Sequence, residues 1–142
     1  MTKEEFEAFK SAYDKSVRKC IKGKDNNDKA IEEQTEWIWF DRKTLLDLLN
    51  IADQTTGGIK MYIGQYDKKN IEMLPESYPD QESCIGRISL ALIPANRTDS
   101  GIIDVTSSNE DSIKSGDQSN SIRNAGTLCP PFCSPPPPPP TE

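Results

Sequence analysis

Two cysteines, Cys129 and Cys133, are the residue pair in this sequence that is best suited to chemistry. Pro130, Pro131 and Phe132 separate them, so that two prolines restrict the backbone between the thiols. The pair could supply half of a zinc site, a redox couple, or two small apolar side chains in a plug that packs through Phe132. Because the spacing differs from the C-x-x-C of thioredoxin-like proteins, we favour packing. Thiol-redox or metal-binding chemistry at Cys129 and Cys133 is the alternative.

The absence of histidine limits the chemistry available at neutral pH. Histidine is the commonest general base and metal ligand, so triad hydrolases and histidine-ligated metal enzymes are excluded. A zinc site would need Cys20 and Cys84, which belong to a predicted helix and the start of a predicted strand. No two carboxylates stand at a defined separation, and Gly57-Gly58 precedes a strand, which does not suit phosphate binding. The sequence therefore predicts no catalytic set, no cofactor and no metal.

The charge balance narrows the classes of partner. The chain carries 17 Lys and Arg against 23 Asp and Glu, and its net charge of −6 repels nucleic-acid phosphates and anionic lipids. We therefore expect the chain to bind another protein or a second copy of itself, and not to bind nucleic acid or a membrane. The sequence makes no prediction about a small-molecule ligand. The first residues are charged where a signal peptide would be apolar, and no segment has the length of a membrane span. These features predict a cytoplasmic protein with reduced cysteines.

Local patterns predict two helices and three strands. Thr2 and Glu5 have capping-box spacing before an apolar stripe that ends near Gly23, and Asp41 can cap a second, leucine-rich helix. Strands are expected at residues 35–40, 59–66 and 84–94. We predict an α+β fold with a small three-stranded, mainly antiparallel sheet and the element order α-β-α-β-β. Both helices are expected to pack on one face of this sheet, with the apolar stripe of the first in the core.

Composition divides the chain into three parts. Residues 1–95 are expected to form a compact domain, residues 96–124 a polar flexible linker, and residues 125–142 a Cys/Pro-rich tail. Ile102 and its neighbours could add a short edge strand, although a disordered linker is the favoured interpretation. The six prolines at 135–140 predict a polyproline II rod, which is either a ligand for an aromatic-lined groove or a spacer.

Four aromatic residues form a second candidate site. Trp37 and Trp39 point to the same face of their predicted strand, and Tyr62 and Tyr66 lie on a neighbouring predicted strand. They could form a platform for a flat ligand or a peptide. The alternative is that they fill a core beneath the helices.

Two motifs carry a resemblance to a known group of proteins. They are Gly58-Ile-Lys-Met-Tyr-Ile-Gly64 and Asn124-Ala-Gly-Thr-Leu-Cys-Pro-Pro-Phe-Cys133, preceded by Trp37-Ile-Trp-Phe40. The chain resembles small uncharacterised proteins from Bacteroidota with a strand-helix-strand-strand core, a Gly-Ile-x-x-Tyr-x-Gly strand and an Asn-x-Gly-x-Leu-Cys-Pro-Pro-x-Cys ending. Ala125 stands where many members have His. The resemblance implies the architecture and a bacterial cytoplasmic setting, and it implies no activity.

These observations favour a non-enzymatic protein-binding or self-assembly module. The segment from Leu128 through Cys129, Pro130, Pro131 and Phe132 to Cys133 is expected to act as an anchor that packs on folded protein. The aromatic strand region, with Trp37, Trp39, Tyr62 and Tyr66, is a second contact face. A thiol-redox or metal-binding protein is one alternative, and a small regulatory or defence-associated protein is another.

Overall fold

The computed structural model describes residues 1–105 and 122–134, which contain α-helices, short 3-10 helices and strands. The helices are α1 (Lys3–Lys15), α2 (Val17–Cys20) and α3 (Arg42–Ile51), and short 3-10 helices span Ile71–Met73 and Gln81–Cys84. The strands are β1 (Trp37–Trp39), β2 (Gly57–Gln65), β3 (Ile88–Thr98), β4 (Gly101–Asp104) and β5 (Thr127–Cys129). The predicted α+β class, with a small three-stranded and mainly antiparallel sheet, is confirmed. No helix among these residues has the length and apolar character needed to cross a bilayer.

Helix α1 begins where the sequence predicts. The Glu5 backbone N–H donates to Thr2 Oγ1 (3.2 Å) and the Thr2 N–H donates to Glu5 Oε2 (2.6 Å), which completes the capping box. The prediction that its apolar stripe lies in the core is wrong for Phe6 and Phe9, which are exposed, and no residue of α1 is buried. Tyr13 of the same stripe is half-buried, and its hydroxyl donates to the Thr35 carbonyl at 2.8 Å.

The three-stranded sheet has the order β2-β3-β4. Strands β3 and β4 form an antiparallel hairpin, whose register places Thr98 opposite Gly101. Gly101 has a φ of +125°, which a residue with a side chain rarely adopts. The Arg97 N–H donates to the Thr56 carbonyl (2.9 Å), so the start of β2 lies beside the end of β3, as antiparallel pairing requires.

This hairpin corrects the predicted domain boundary at residue 95. The boundary falls inside β3, and the chain continues through β4 where a flexible linker was expected. The short edge strand around Ile102 therefore forms, because the turn at Gly101 lets it pair with β3. Residues 106–121 of the predicted linker and the predicted polyproline rod at 135–140 lie outside the described residues.

Strand β1 is not part of the three-stranded sheet, in contrast to its predicted place there. It pairs with β5 in a second, two-stranded sheet. The Glu36 N–H, just before β1, donates to the Cys129 carbonyl at 2.6 Å. Local sequence patterns could not reveal this partner, because β1 and β5 are far apart along the chain.

The described residues divide into two units. The first, here called the disulfide unit, contains Met1–Ile38, Gln65–Ile88 and residues 127–134. Its buried cluster consists of Tyr66, Leu74, Cys84 and Leu128, with partly buried Ile38, Ile71, Tyr78 and Phe132 packed against it.

The second, the sheet unit, contains Trp39–Gly64 and the described part of Ser89–Gly126. It holds α3, most of the three-stranded sheet, and the fully buried Leu48 and Leu92. The predicted packing of both helices on one face of the sheet stays a prediction.

Candidate functional site

The Cys129–Cys133 segment lies on the disulfide unit and is cross-linked. The two cysteines form a disulfide with their Cα atoms 4.6 Å apart, and the Cys129–Pro130 and Pro130–Pro131 peptide bonds are cis. The Phe132 N–H donates to the Leu128 carbonyl at 2.8 Å, which closes the turn between them. The expectation of reduced thiols is wrong for this pair.

Leu128 attaches this segment to the rest of its unit. Its side chain is 0% exposed and belongs to the same buried cluster as Tyr66 and Cys84. Phe132 adds an edge-to-face contact with the Tyr78 ring, with a centroid distance of 5.9 Å. Leu128 and Phe132 are therefore occupied by contacts within the chain.

The two cysteines of the disulfide differ in their exposure to solvent. Cys129 is buried and Cys133 is exposed. A sulfur that is bonded to another sulfur does not serve as a zinc thiolate, so this pair supplies no half-site in its oxidised form. Among residues 1–105 and 122–134, no group of three or more Cys, Asp and Glu residues is arranged to hold a metal ion.

The two free cysteines are Cys20, which is exposed, and Cys84, which is fully buried. Burial raises the pKa of Cys84 and also raises the pKa of the neighbouring Tyr78, whose hydroxyl is hydrogen-bonded to the thiol. Both groups therefore stay protonated at neutral pH. Neither supplies an activated nucleophile.

Tyr66 lies in the buried cluster, as the alternative core interpretation expected, and therefore cannot face a ligand on an aromatic platform. Trp37 and Trp39 are exposed, and Ile38 between them is the residue of β1 that packs on the cluster. This alternation agrees with the predicted common face of the two tryptophans. Tyr62 is also exposed, and it belongs to β2 of the sheet unit.

A polar network on the sheet unit was not predicted from the sequence. Lys60 Nζ lies 2.6 Å from Asp104 Oδ1, and the Tyr62 hydroxyl donates to Asp104 Oδ2 at 2.8 Å. Lys60 also donates to the Ile102 carbonyl at 3.0 Å. The alternation of β2 placed Lys60 and Tyr62 on one face, but Asp104 was assigned to the linker, so its strand could not be anticipated.

The electrostatics of this network favour two fixed charges. The hydrogen bond with Asp104 raises the pKa of Lys60, and the hydrogen bond with Lys60 lowers the pKa of Asp104. Lys60 is therefore held as an ammonium and Asp104 as a carboxylate. A general base or acid needs a pKa close to neutrality, so this pair is better suited to fixing strands than to transferring protons.

Strand β2 is an edge of the three-stranded sheet. Among the described residues β3 is its only paired neighbour in that sheet. Met61 and Ile63 on this strand are 56% and 79% exposed. A groove of about 370 Å³ opens beside the strand, and its lining residues are Thr56, Gly57, Gly58, Ile59, Lys60, Met61, Ala95, Arg97 and Ile102. This edge, together with its exposed apolar side chains, is the candidate functional site.

No family model, curated protein or solved structure matches this chain.

A free strand edge presents backbone donors and acceptors to which another strand can add. The apolar side chains at alternate positions would supply specificity for such a strand. Periodicity in the sequence located β2 itself, but its position at the edge depends on the order of strands, which the sequence did not reveal.

Proposed function

We propose that this chain is a non-enzymatic protein-interaction module that binds its partner by strand addition at β2. The observation that carries the proposal is the exposure of Met61 and Ile63 on a nine-residue edge strand. Singly exposed apolar residues are common in proteins, but an extended edge that carries them is a template for pairing.

The absence of the usual edge protection supports this proposal. Proteins commonly protect an edge strand with prolines or with charged side chains that project beyond it. Strand β2 has no proline, and Lys60 is its only charged residue. The Lys60 ammonium is bound to Asp104 and the Ile102 carbonyl on β4, so it is directed across the sheet and not out over the edge.

In this proposal, the predicted packing of the Cys129–Cys133 segment on folded protein takes place within the chain and not on a partner. Because Leu128 and Cys129 are buried within the disulfide unit, the segment stabilises that unit and does not serve as an anchor for a partner. In the same proposal, the exposed Trp37 and Trp39 form a second contact face.

The proposed setting is bacterial, by the resemblance of the motifs at 58–64 and 124–133. The cytoplasmic location stays a prediction, and the Cys129–Cys133 disulfide argues against it, because structural disulfides are rare in reducing compartments. Differential alkylation of the protein in intact cells tests this point. Cys129 and Cys133 resist alkylation before chemical reduction if the compartment is oxidising.

The experiment that tests strand addition is site-specific photocrosslinking in the source cell. A photoreactive amino acid replaces Ile63 in one variant and Met73 in the control, a residue that is 67% exposed in a 3-10 helix. We expect a discrete adduct from position 63 that is absent from position 73 and is suppressed by Met61→Lys. Adducts of equal yield from both positions, or no adduct at position 63, would contradict the proposal.

A thiol-disulfide exchange protein is a second candidate, favoured by the exposure of Cys133 within the disulfide. An external thiolate would attack Cys133 Sγ, form a mixed disulfide there and release Cys129 as a thiolate. A reduction potential near that of thioredoxin, about −270 mV, would support exchange, whereas a value below about −300 mV indicates a structural disulfide. Equilibration with glutathione or dithiothreitol, followed by thiol trapping, measures this potential.

A further inference from the structure

The sequence of β2 is nearly symmetric about Met61. Outward from Met61, the flanking pairs are Lys60 and Tyr62, then Ile59 and Ile63, then Gly58 and Gly64. In an antiparallel pair of two identical strands, the residue at the centre lies opposite itself and each flanking residue lies opposite its counterpart. The same strand is therefore a suitable partner for itself.

The directions of the backbone N–H and carbonyl groups of β2 also favour a pair of strands centred on Met61. The Thr56 carbonyl accepts from β3 before the strand begins, and the Tyr66 N–H donates to the Arg87 carbonyl just after it ends. In an antiparallel ladder, residues directed at one neighbour alternate with residues directed at the other. Even-numbered positions therefore face β3, and the N–H and carbonyl groups of Ile59, Met61 and Ile63 point out from the edge.

From these two observations we infer that two copies of this chain associate through antiparallel pairing of β2 with β2, with the two-fold axis beside Met61. This inference rests on the proposed function and names a second copy of the chain as the partner. The outward backbone groups of Met61 face those of the second Met61, and Ile59 faces Ile63 of the second copy. Two three-stranded sheets thereby become one six-stranded sheet.

The side chains match across this pairing. On one face of the joined sheet, the exposed Met61 and Ile63 lie beside Met61 and Ile59 of the second copy. This contact removes apolar surface from water. On the other face, Lys60 lies opposite Tyr62 of the second copy, which repeats the contact within one chain, where Lys60 Nζ is 5.5 Å from the Tyr62 ring centroid. The glycines at 58 and 64 oppose each other without a side chain that could obstruct approach.

Charge gives the association a distinctive salt dependence. Each copy has a net charge of −6, so two copies repel at low ionic strength, although Lys60 and Asp104 neutralise each other at the contact. Added salt screens this repulsion while leaving the apolar contact in place. We therefore expect dimerisation to strengthen from about 20 mM to about 300 mM salt.

Analytical ultracentrifugation of the full chain over a concentration series tests the inference. Met61→Lys places two ammonium groups opposite each other, so we expect it to raise the dimer dissociation constant roughly tenfold or more. Met73→Lys is the matched control and should leave the constant unchanged. A wild-type chain that stays monomeric at all concentrations, or a dimer that Met61→Lys does not weaken, would overturn the inference. The photocrosslinking experiment above would still decide whether β2 binds another protein.

Disulfide trapping tests the register. In a Cys20→Ser background, Met61→Cys alone should form an intermolecular disulfide, because its position faces itself across the axis. Ile63→Cys alone should form none, whereas Ile59→Cys combined with Ile63→Cys should cross-link. Circular dichroism identifies any variant that fails to fold, and the other cysteine positions then decide the register. Equal cross-linking by Met61→Cys and Ile63→Cys would exclude the proposed register.

Discussion

The ring of Phe132 lies edge-on to the ring of Tyr78, with centroids 5.9 Å apart and planes inclined at 72°. This contact joins the disulfide-bonded turn to the loop between β2 and β3. It lies beside the buried cluster that contains Leu128. The turn is therefore fixed to its unit by an aromatic contact as well as by β-sheet pairing.

The first prediction concerns this ring. Phe132→Ala removes the edge-to-face contact and leaves a void beside the cluster, so we expect it to lower the free energy of unfolding by about 2–3 kcal/mol. Urea denaturation followed by circular dichroism measures the change. Phe9→Ala is the control, because Phe9 is exposed and its removal should change stability by about 0.5 kcal/mol or less. Equal effects of the two substitutions would show that the contact contributes nothing.

The second prediction concerns Gln34, which is 1% exposed. Its Oε1 accepts from the backbone N–H groups of Thr35 (2.9 Å) and Ile88 (2.8 Å), and its Nε2 donates to the Gly86 carbonyl (3.1 Å). Gln34→Leu leaves these backbone groups without this partner inside the protein. We expect a loss of about 2–4 kcal/mol in the free energy of unfolding.

Amide hydrogen exchange of Thr35 and Ile88 checks the mechanism of that loss. Both amides should exchange faster in Gln34→Leu, because the acceptor that holds them is gone. The exposed Gln54 provides the control, and Gln54→Leu should leave both exchange rates unchanged. Unchanged exchange in Gln34→Leu would contradict the prediction.

The third prediction is a pH dependence at the start of α3. Hydrogen bonds from the Thr44 side chain and backbone lower the pKa of Asp41, whose carboxylate accepts from the Thr44 N–H at 2.7 Å. Because the folded pKa lies below the unfolded value of about 3.9, the stabilisation is present above that value and is lost as the pH falls through the folded pKa. We expect Asp41→Ala to cost about 1 kcal/mol at neutral pH and much less at about pH 2.

Denaturant unfolding at a series of pH values measures this effect. Asp41→Asn retains a capping oxygen without the charge, so it should lack the acid-dependent part while preserving most of the stability. A cost for Asp41→Ala that is the same at acid and neutral pH would show that the carboxylate charge plays no part.

Several local features were predictable because neighbouring residues determine them. The Thr2 and Glu5 capping box and the Asp41 cap were both read from spacing, and the structure forms them. The common face of Trp37 and Trp39 also follows from simple alternation, although their exposure does not. In contrast, the pairing of β1 with β5 depends on segments far apart in sequence, and no local pattern specifies it.

Only part of the candidate site could be predicted, because its remaining residues are brought together by strands that are far apart in sequence. Periodicity identified β2, but it did not reveal that Met61 and Ile63 are exposed, and Asp104 stood in a stretch of polar composition. Only the turn at Gly101 brings β4 back against β3 and places that carboxylate within reach. Tyr66 was expected on a contact face, but it is buried. No pattern among its sequence neighbours indicated this burial.

The fourth prediction concerns thiol reactivity. Cys20 is exposed, whereas Cys84 is buried and its pKa is raised by burial. We expect the native protein to show one fast-reacting thiol with a coloured disulfide reagent, and a second only after denaturation. Two further thiols should appear after chemical reduction of Cys129–Cys133.

Cys20→Ser provides the control for this count, because it should abolish the fast phase and leave the slow phase intact. Two fast thiols in the native wild-type protein would show that Cys84 is accessible. Four thiols before reduction would show that the disulfide is absent in solution.

The late position of Leu128 in the sequence affects how the protein is made on the ribosome. Tyr66, Leu74 and Cys84 emerge during translation well before the leucine that completes their cluster. Until residue 128 has been synthesised, these side chains lack the contact with Leu128 and present apolar surface to chaperones and to other nascent chains. A message truncated before codon 128 would yield a product without that leucine, which quality-control proteases should remove.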